Sequence, residues 1–137
     1  EKAAHEGDFL NAPPGHPGTE LLLPTLLHGV ADGHVTIDQV ADLVSGAGAR
    51  RFAVTDRGRI AEGARADLAV VDLTGETVVG PDTLRTAARD VARLAHGQRY
   101  QGRVAATFLA GRQIYDGTDV VGPPGEGRFV QPERGDR

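Results

Sequence analysis

The stretch from Gly58 to Leu73, GRIAEGARADLAVVDL, constrains this chain more than any other. Glycine and alternating charge make a turn, and a second glycine followed by Ala66-Asp67 sets up a strand. That strand then runs Leu-Ala-Val-Val-Asp-Leu. Leu68, Val70 and Asp72 point to one side and Ala69, Val71 and Leu73 to the other, the mark of a strand partly covered on both faces. A segment of this kind cannot stand alone. It needs a neighbouring strand along its edge and apolar partners on its faces.

The rest of the chain offers few such partners. Residues 1–18 read as a loop, because Asn11 to Gly18 holds three prolines and two glycines, which helices and central strands reject. A helix is expected at about 19–29, with Leu21, Leu22, Leu23, Leu26 and Leu27 forming its apolar face and Pro24 tolerated only in the first turn. A second is expected at about 36–45. Thr36 and Gln39 have capping-box spacing, and Ile37, Val40, Ala41 and Val44 fall on one helical face; Gly46 and Gly48 are the expected stop.

After the Gly58 segment, Thr77-Val78-Val79 is expected to make a short strand. Gly80-Pro81-Asp82 then opens a helix reaching Ala95, with Leu84, Ala87 or Ala88, Val91, and Leu94 or Ala95 as its buried stripe. Arg103 to Leu109 is a further strand, turned at Ala110-Gly111 into a return strand Arg112–Tyr115. The Pro/Gly-rich tail, 123–137, is expected to dock at Phe129-Val130 and fray beyond it. No internal repeat is visible.

Composition narrows the function classes. The formal net charge is −4 with no basic cluster, which argues against a nucleic-acid face. No apolar run approaches the ~20 residues of a membrane span, and no secretory pattern opens the chain. Cysteine is absent, so neither disulfides nor thiolate metal sites can form. The cytoplasm is the expected compartment. The chain lacks methionine and begins at Glu1, which suggests a C-terminal fragment.

Four places carry a family resemblance. Glu1-Lys2, the loop Ala12-Pro13-Pro14-Gly15 with Gly18-Thr19-Glu20, the Gly58–Asp72 segment, and Val104–Gly117 together resemble the C-terminal third of a cyclic amidohydrolase of the dihydroorotase, allantoinase and hydantoinase group. The Gly58–Asp72 pattern resembles amidohydrolases at large; the Ala-Pro-x-Gly loop points to cyclic amides. The resemblance implies an α/β fold: the last helices of a (β/α)8 TIM-type barrel plus the C-terminal half of a composite β-sandwich. The barrel end would be 1–54, with site loop 1–18; the β-segment with its intervening helix 55–122; and the tail 123–137. A whole barrel takes ~250 residues, more than the 137 present.

The implied chemistry is zinc-dependent hydrolysis of a cyclic amide, with two zinc ions held by residues that have no counterpart here. No catalytic or metal-ligating residue is therefore assigned to this chain, and the isolated chain is expected to be inactive. The implied partners are the small-molecule cyclic amide and the remainder of the barrel, in a homo-oligomer at full length. Two residues remain for the site. In dihydroorotase-like members the last two loop positions contact the substrate ring, partly through backbone groups; here they are Pro14 and Gly15. Proline fixes φ and glycine admits close approach. The competing reading is that Pro-Gly merely shapes a turn. A non-catalytic homologue serving as an assembly module is the alternative function.

Other tempting residues read as structural. The five histidines include no H-x-H or H-x-x-x-H pair, the spacings that zinc sites favour. Asp67 is expected to bond backbone amides of the Gly63–Ala66 turn. Arg50-Arg51 reads as a solvated helix end. Gly125-Glu126-Gly127 lacks the strand and helix of a phosphate loop. Apolar faces without partners predict aggregation of the chain expressed alone.

Overall fold

The computed structural model describes residues 7, 8, 10, 18–87, 89, 92 and 95–132. Among them helices come first and a three-stranded antiparallel sheet second. A 3-10 turn, Thr19–Leu21, leads into helix α1, Leu22–Ala31. Pro24 sits in the first turn of α1, where a missing N–H costs no helical bond. The chain then turns at Asp32-Gly33, where Gly33 has φ +73°.

Helix α2, Ile37–Ala41, begins on a complete capping box. The Thr36 hydroxyl accepts from Gln39 N at 3.2 Å, and Thr36 N donates to the Gln39 side chain at 2.8 Å. Gly46 does not stop the helix. A π-turn, Asp42–Gly46, carries the axis into α3, Ala47–Arg51. Two side-chain contacts bridge the wider turn: Ser45 Oγ donates to Ala41 O at 2.6 Å, and Arg50 spans to Asp42 at 2.8 Å. Arg50 and Arg51 are the exposed basic end of α3, as expected, and Arg50 adds an ion pair to it. Val40 is buried, while Ile37 and Val44 are exposed.

Strand β1, Leu68–Val78, pairs with β2, Arg99–Leu109, and β2 pairs with β3, Arg112–Tyr115. Of the expected short strand at 77–79, Thr77 and Val78 form the far end of β1 and Val79 lies just past it. The ladder shifts register between Asp72 and Glu76, and this irregularity lets Gly75 lie inside one continuous strand. Ala110 and Gly111, at φ +50° and +82°, make the expected tight turn between β2 and β3.

Between β1 and β2, the helix expected over 81–95 is replaced in the described residues by successive tight turns. Thr83, Arg89, Ala92, Ala95 and Gln98 each donate their N–H three residues back. The Thr83 hydroxyl draws the chain home, donating to Val78 O at 2.7 Å and accepting from Gly80 N at 2.8 Å; such side-chain bonds compete with a helix. Of the expected stripe, Leu84 and Ala95 are buried and Ala87 is exposed, while Ala88, Val91 and Leu94 lie outside the described residues; Ala92, not in that stripe, is buried with Leu84, Ala95, Leu21 and Val79, against Tyr100.

Helix α1 lies on β2 at its closest point. Gly102 has φ +96°, and a Cβ there would sit 2.6 Å from Leu27 Cβ. Leu27 is 1 % exposed. Only glycine permits both that backbone conformation and that approach. The tail meets the expectation in part: Phe129 is 87 % exposed while Val130 is half-buried, and Arg112 also pairs with Glu126 at 2.6 Å.

Candidate functional site

The expected substrate-contact residues, Pro14 and Gly15, lie outside the described residues, as do His5 and His16. The described residues resume at Gly18. The chain emerges at Gly18, whose carbonyl accepts from Leu21 N at 3.0 Å. Glu20 then reaches across the fold. Its carboxylate accepts from Arg85 N at 2.8 and 3.0 Å and from Thr86 N at 2.9 Å. Arg85 in turn donates to Thr118 O and pairs with Asp119 at 3.0 Å. Asp116 receives Thr118 N and Asp119 N, both at 2.8 Å, and these backbone bonds hold its carboxyl below the usual range. Sequence reading had Glu20 only as a motif letter and missed Arg85.

A second charged cluster sits where the Gly58 segment meets the hairpin. Asp67 bonds Ala110 N at 2.7 Å and pairs with Arg57 at 3.0 Å and Arg65 at 3.3 Å. It therefore ties the strand entry to the β2–β3 turn, rather than bonding amides of Gly63–Ala66. Gly111 N adds a bond to Ala66 O at 2.8 Å. Arg57 also binds Asp56 at 3.0 Å, and that hydrogen bond holds the Asp56 carboxyl below its ordinary value. A cavity of about 390 Å³ opens beside them, lined by Val54, Asp56, Arg57, Arg65, Leu109 and Arg128 among others. Two of its arginines are already matched by Asp56 and Asp67, and among the described residues its lining includes the Thr55 hydroxyl but no histidine, serine or cysteine.

Asp72 is a third anchor. It accepts from the Thr74 hydroxyl at 2.8 Å, from Thr74 N and Gly75 N at 3.0 Å, and from Arg103 at 3.1 Å. These bonds, the Thr74 hydroxyl foremost, lower its pKa to about 2.

The described residues do not fit a zinc centre. Among them no three of His, Asp and Glu come close enough to hold a metal ion. His28 stacks edge-on to Tyr100, with ring centroids 5.8 Å apart, and its Nδ1 accepts from Gln101 N at 3.2 Å. His96 Nε2 lies 3.2 Å from Arg89 O. These histidines join segments to one another. Among the described residues no helix is long and apolar enough to cross a membrane.

Comparison with known proteins gives the class: residues 28–115 match the amidohydrolase family, and the chain belongs to it. Within that family it is 39 % identical over 128 residues to an allantoinase of Rubrobacter xylanophilus, covering 93 % of this chain and 28 % of that protein. It is 31 % identical over 123 residues to a dihydroorotase of Methanothermobacter thermautotrophicus, covering 90 % and 28 %. A solved D-hydantoinase structure superposes on 98 % of the chain and 29 % of its own length, with a TM-score of 0.83 and 27 % identity. The chain thus spans under a third of the length of these relatives.

Proposed function

We propose that this chain is the C-terminal portion of a cyclic amidohydrolase that hydrolyses a ring carbon–nitrogen bond. Helices 19–51 would close the outer ring of a barrel, and β1–β3 would form half of a β-sandwich completed by residues outside this sequence. The observation that supports this most is the alignment of 93 % of the chain at 39 % identity with an allantoinase, joined by the matching D-hydantoinase backbone.

In this reading the chain's own residues position rather than react. Pro14 and Gly15 contact the cyclic amide at the mouth of the barrel, where such enzymes build their sites. Zinc, when bound, supplies a hydroxide for attack on the ring carbonyl. Its ligands would belong to other parts of the protein, because among the described residues no three of His, Asp and Glu gather closely enough to hold a metal ion.

The test is an assay of the full-length gene product with zinc against allantoin, hydantoin and dihydroorotate. Turnover of at least one ring is the expected result, with loss of activity on chelation. A full-length protein that binds no zinc and opens none of these rings is instead a non-catalytic homologue.

A further inference from the structure

We propose that His28 is a pH-sensitive latch between α1 and β2: neutral, its ring ties the two elements together; protonated, it lets go of β2 and pairs within its own helix. The latch is independent of the ring-opening activity proposed above.

The tautomer follows from the donor. The backbone N–H of Gln101 can only donate, and it points to His28 Nδ1 at 3.2 Å. Nδ1 must therefore offer a lone pair, so the ring is neutral with its proton on Nε2. That Nε2 lies 3.7 Å from Asp32, four residues on in α1. The ring also stands edge-on to Tyr100 of β2, with centroids 5.8 Å apart. A second proton turns Nδ1 into a donor as well. Two donors then face each other at β2, while Asp32 gains a charged partner. Protonation thus exchanges a bond between elements for one within a helix. Solvent reaches the ring, whose side chain is 41 % exposed.

The surroundings leave the exchange to these groups. On α1 the titratable neighbour is Asp32, and on β2 it is Tyr100. Glu76 of β1 and Arg99 of β2 pair with each other. Asp38 of α2 and His34 before it form no ion pair with the ring among the described residues. The apolar half of the seam does not titrate: Leu27, next to His28, is sealed against Gly102, next to Gln101. Acid therefore loosens one side of the α1–β2 contact without unseating the helix.

The test is hydrogen exchange on the full-length protein at about pH 7.5 and about pH 5, either side of the ordinary histidine value of ~6.5, with rates corrected for the intrinsic effect of pH. In the wild type the Gln101 amide is expected to lose about five- to tenfold of its protection at the lower pH, the worth of one neutral hydrogen bond. Amides around Thr107, at the other end of β2, keep theirs. His28→Gln offers an acceptor that does not titrate, so its Gln101 protection should be the same at both values. His28→Phe keeps a ring against Tyr100 without an acceptor, and leaves Gln101 weakly protected at both. Equal wild-type protection at the two pH values overturns the inference. So does an acid loss that His28→Gln shows as fully as the wild type, which would put the titrating group elsewhere.

Discussion

Helix α1 and the α2–α3 stretch carry apolar residues at similar helical spacing, yet the fold treats them differently. α1 presses Leu27 onto Gly102 of β2 until the side chain is all but sealed. Across α2–α3 only Val40 is sealed to that degree, while Leu43, Val44 and Phe52 are 59 %, 43 % and 67 % exposed. What holds α2–α3 is polar and local: the Thr36–Gln39 box, the Ser45–Ala41 bond and the Asp42–Arg50 pair. Periodicity announces that a face exists; it does not say what covers it. α1 has its cover within the chain, and α2–α3 shows an apolar face open to further protein, as the proposed barrel requires.

The largest effect should come from destroying the contact that distinguishes the two. Gly102→Val puts a branched side chain at φ +96° and drives it into Leu27. Left-handed strain and overpacking together should cost about 4 kcal/mol, seen as loss of hydrogen-exchange protection along β2. Protection equal to wild type would mean that α1 is not seated on the sheet in this way.

A paired truncation sharpens the same contrast. Leu27→Ala should destabilise by about 3 kcal/mol, the usual cost of emptying a sealed leucine site. Val44→Ala, at 43 % exposure in this chain, should cost only about 0.5 kcal/mol if nothing else covers it. A markedly larger cost for Val44→Ala in the full-length protein than in the isolated chain would reveal a cover outside these residues.

Legibility followed the range of the interaction. The capping box and the Ala110-Gly111 turn are written within four residues, and both stand where the sequence puts them. The π-turn is less legible, because Gly46 reads as a stop while its continuation depends on Asp42 and Arg50, eight residues apart. Among the described residues of 81–95 tight turns stand where a helix is expected, and at their start the Thr83 hydroxyl reaches back to Val78. Asp67 was rightly read as a structural carboxylate, but its backbone partner is Ala110, 43 residues on. Glu20 finds its amides 65 and 66 residues away, a distance no periodicity encodes. Pro14 and Gly15 came from resemblance, which carries information about missing neighbours that local chemistry lacks.

The smallest effect concerns the β-unit, whose irregular ladder is pinned by Asp72 where α1 is pinned by burial. Asp72 titrates at about 2 against an ordinary 3.8. Its folded pKa is depressed, so its contribution is complete above the ordinary value and is lost as pH falls from about 4 toward 2. Carboxyl NMR should place the midpoint near 2. The Thr74 hydroxyl is the foremost cause, ahead of the Thr74 backbone N–H and the Arg103 guanidinium. Thr74→Val should therefore move the midpoint upward further than Arg103→Ala does. The opposite order would show that the bulge is held by charge across the strands rather than by a turn closing on itself. The β-unit would then depend, like the Glu20 clasp, on partners far away in sequence.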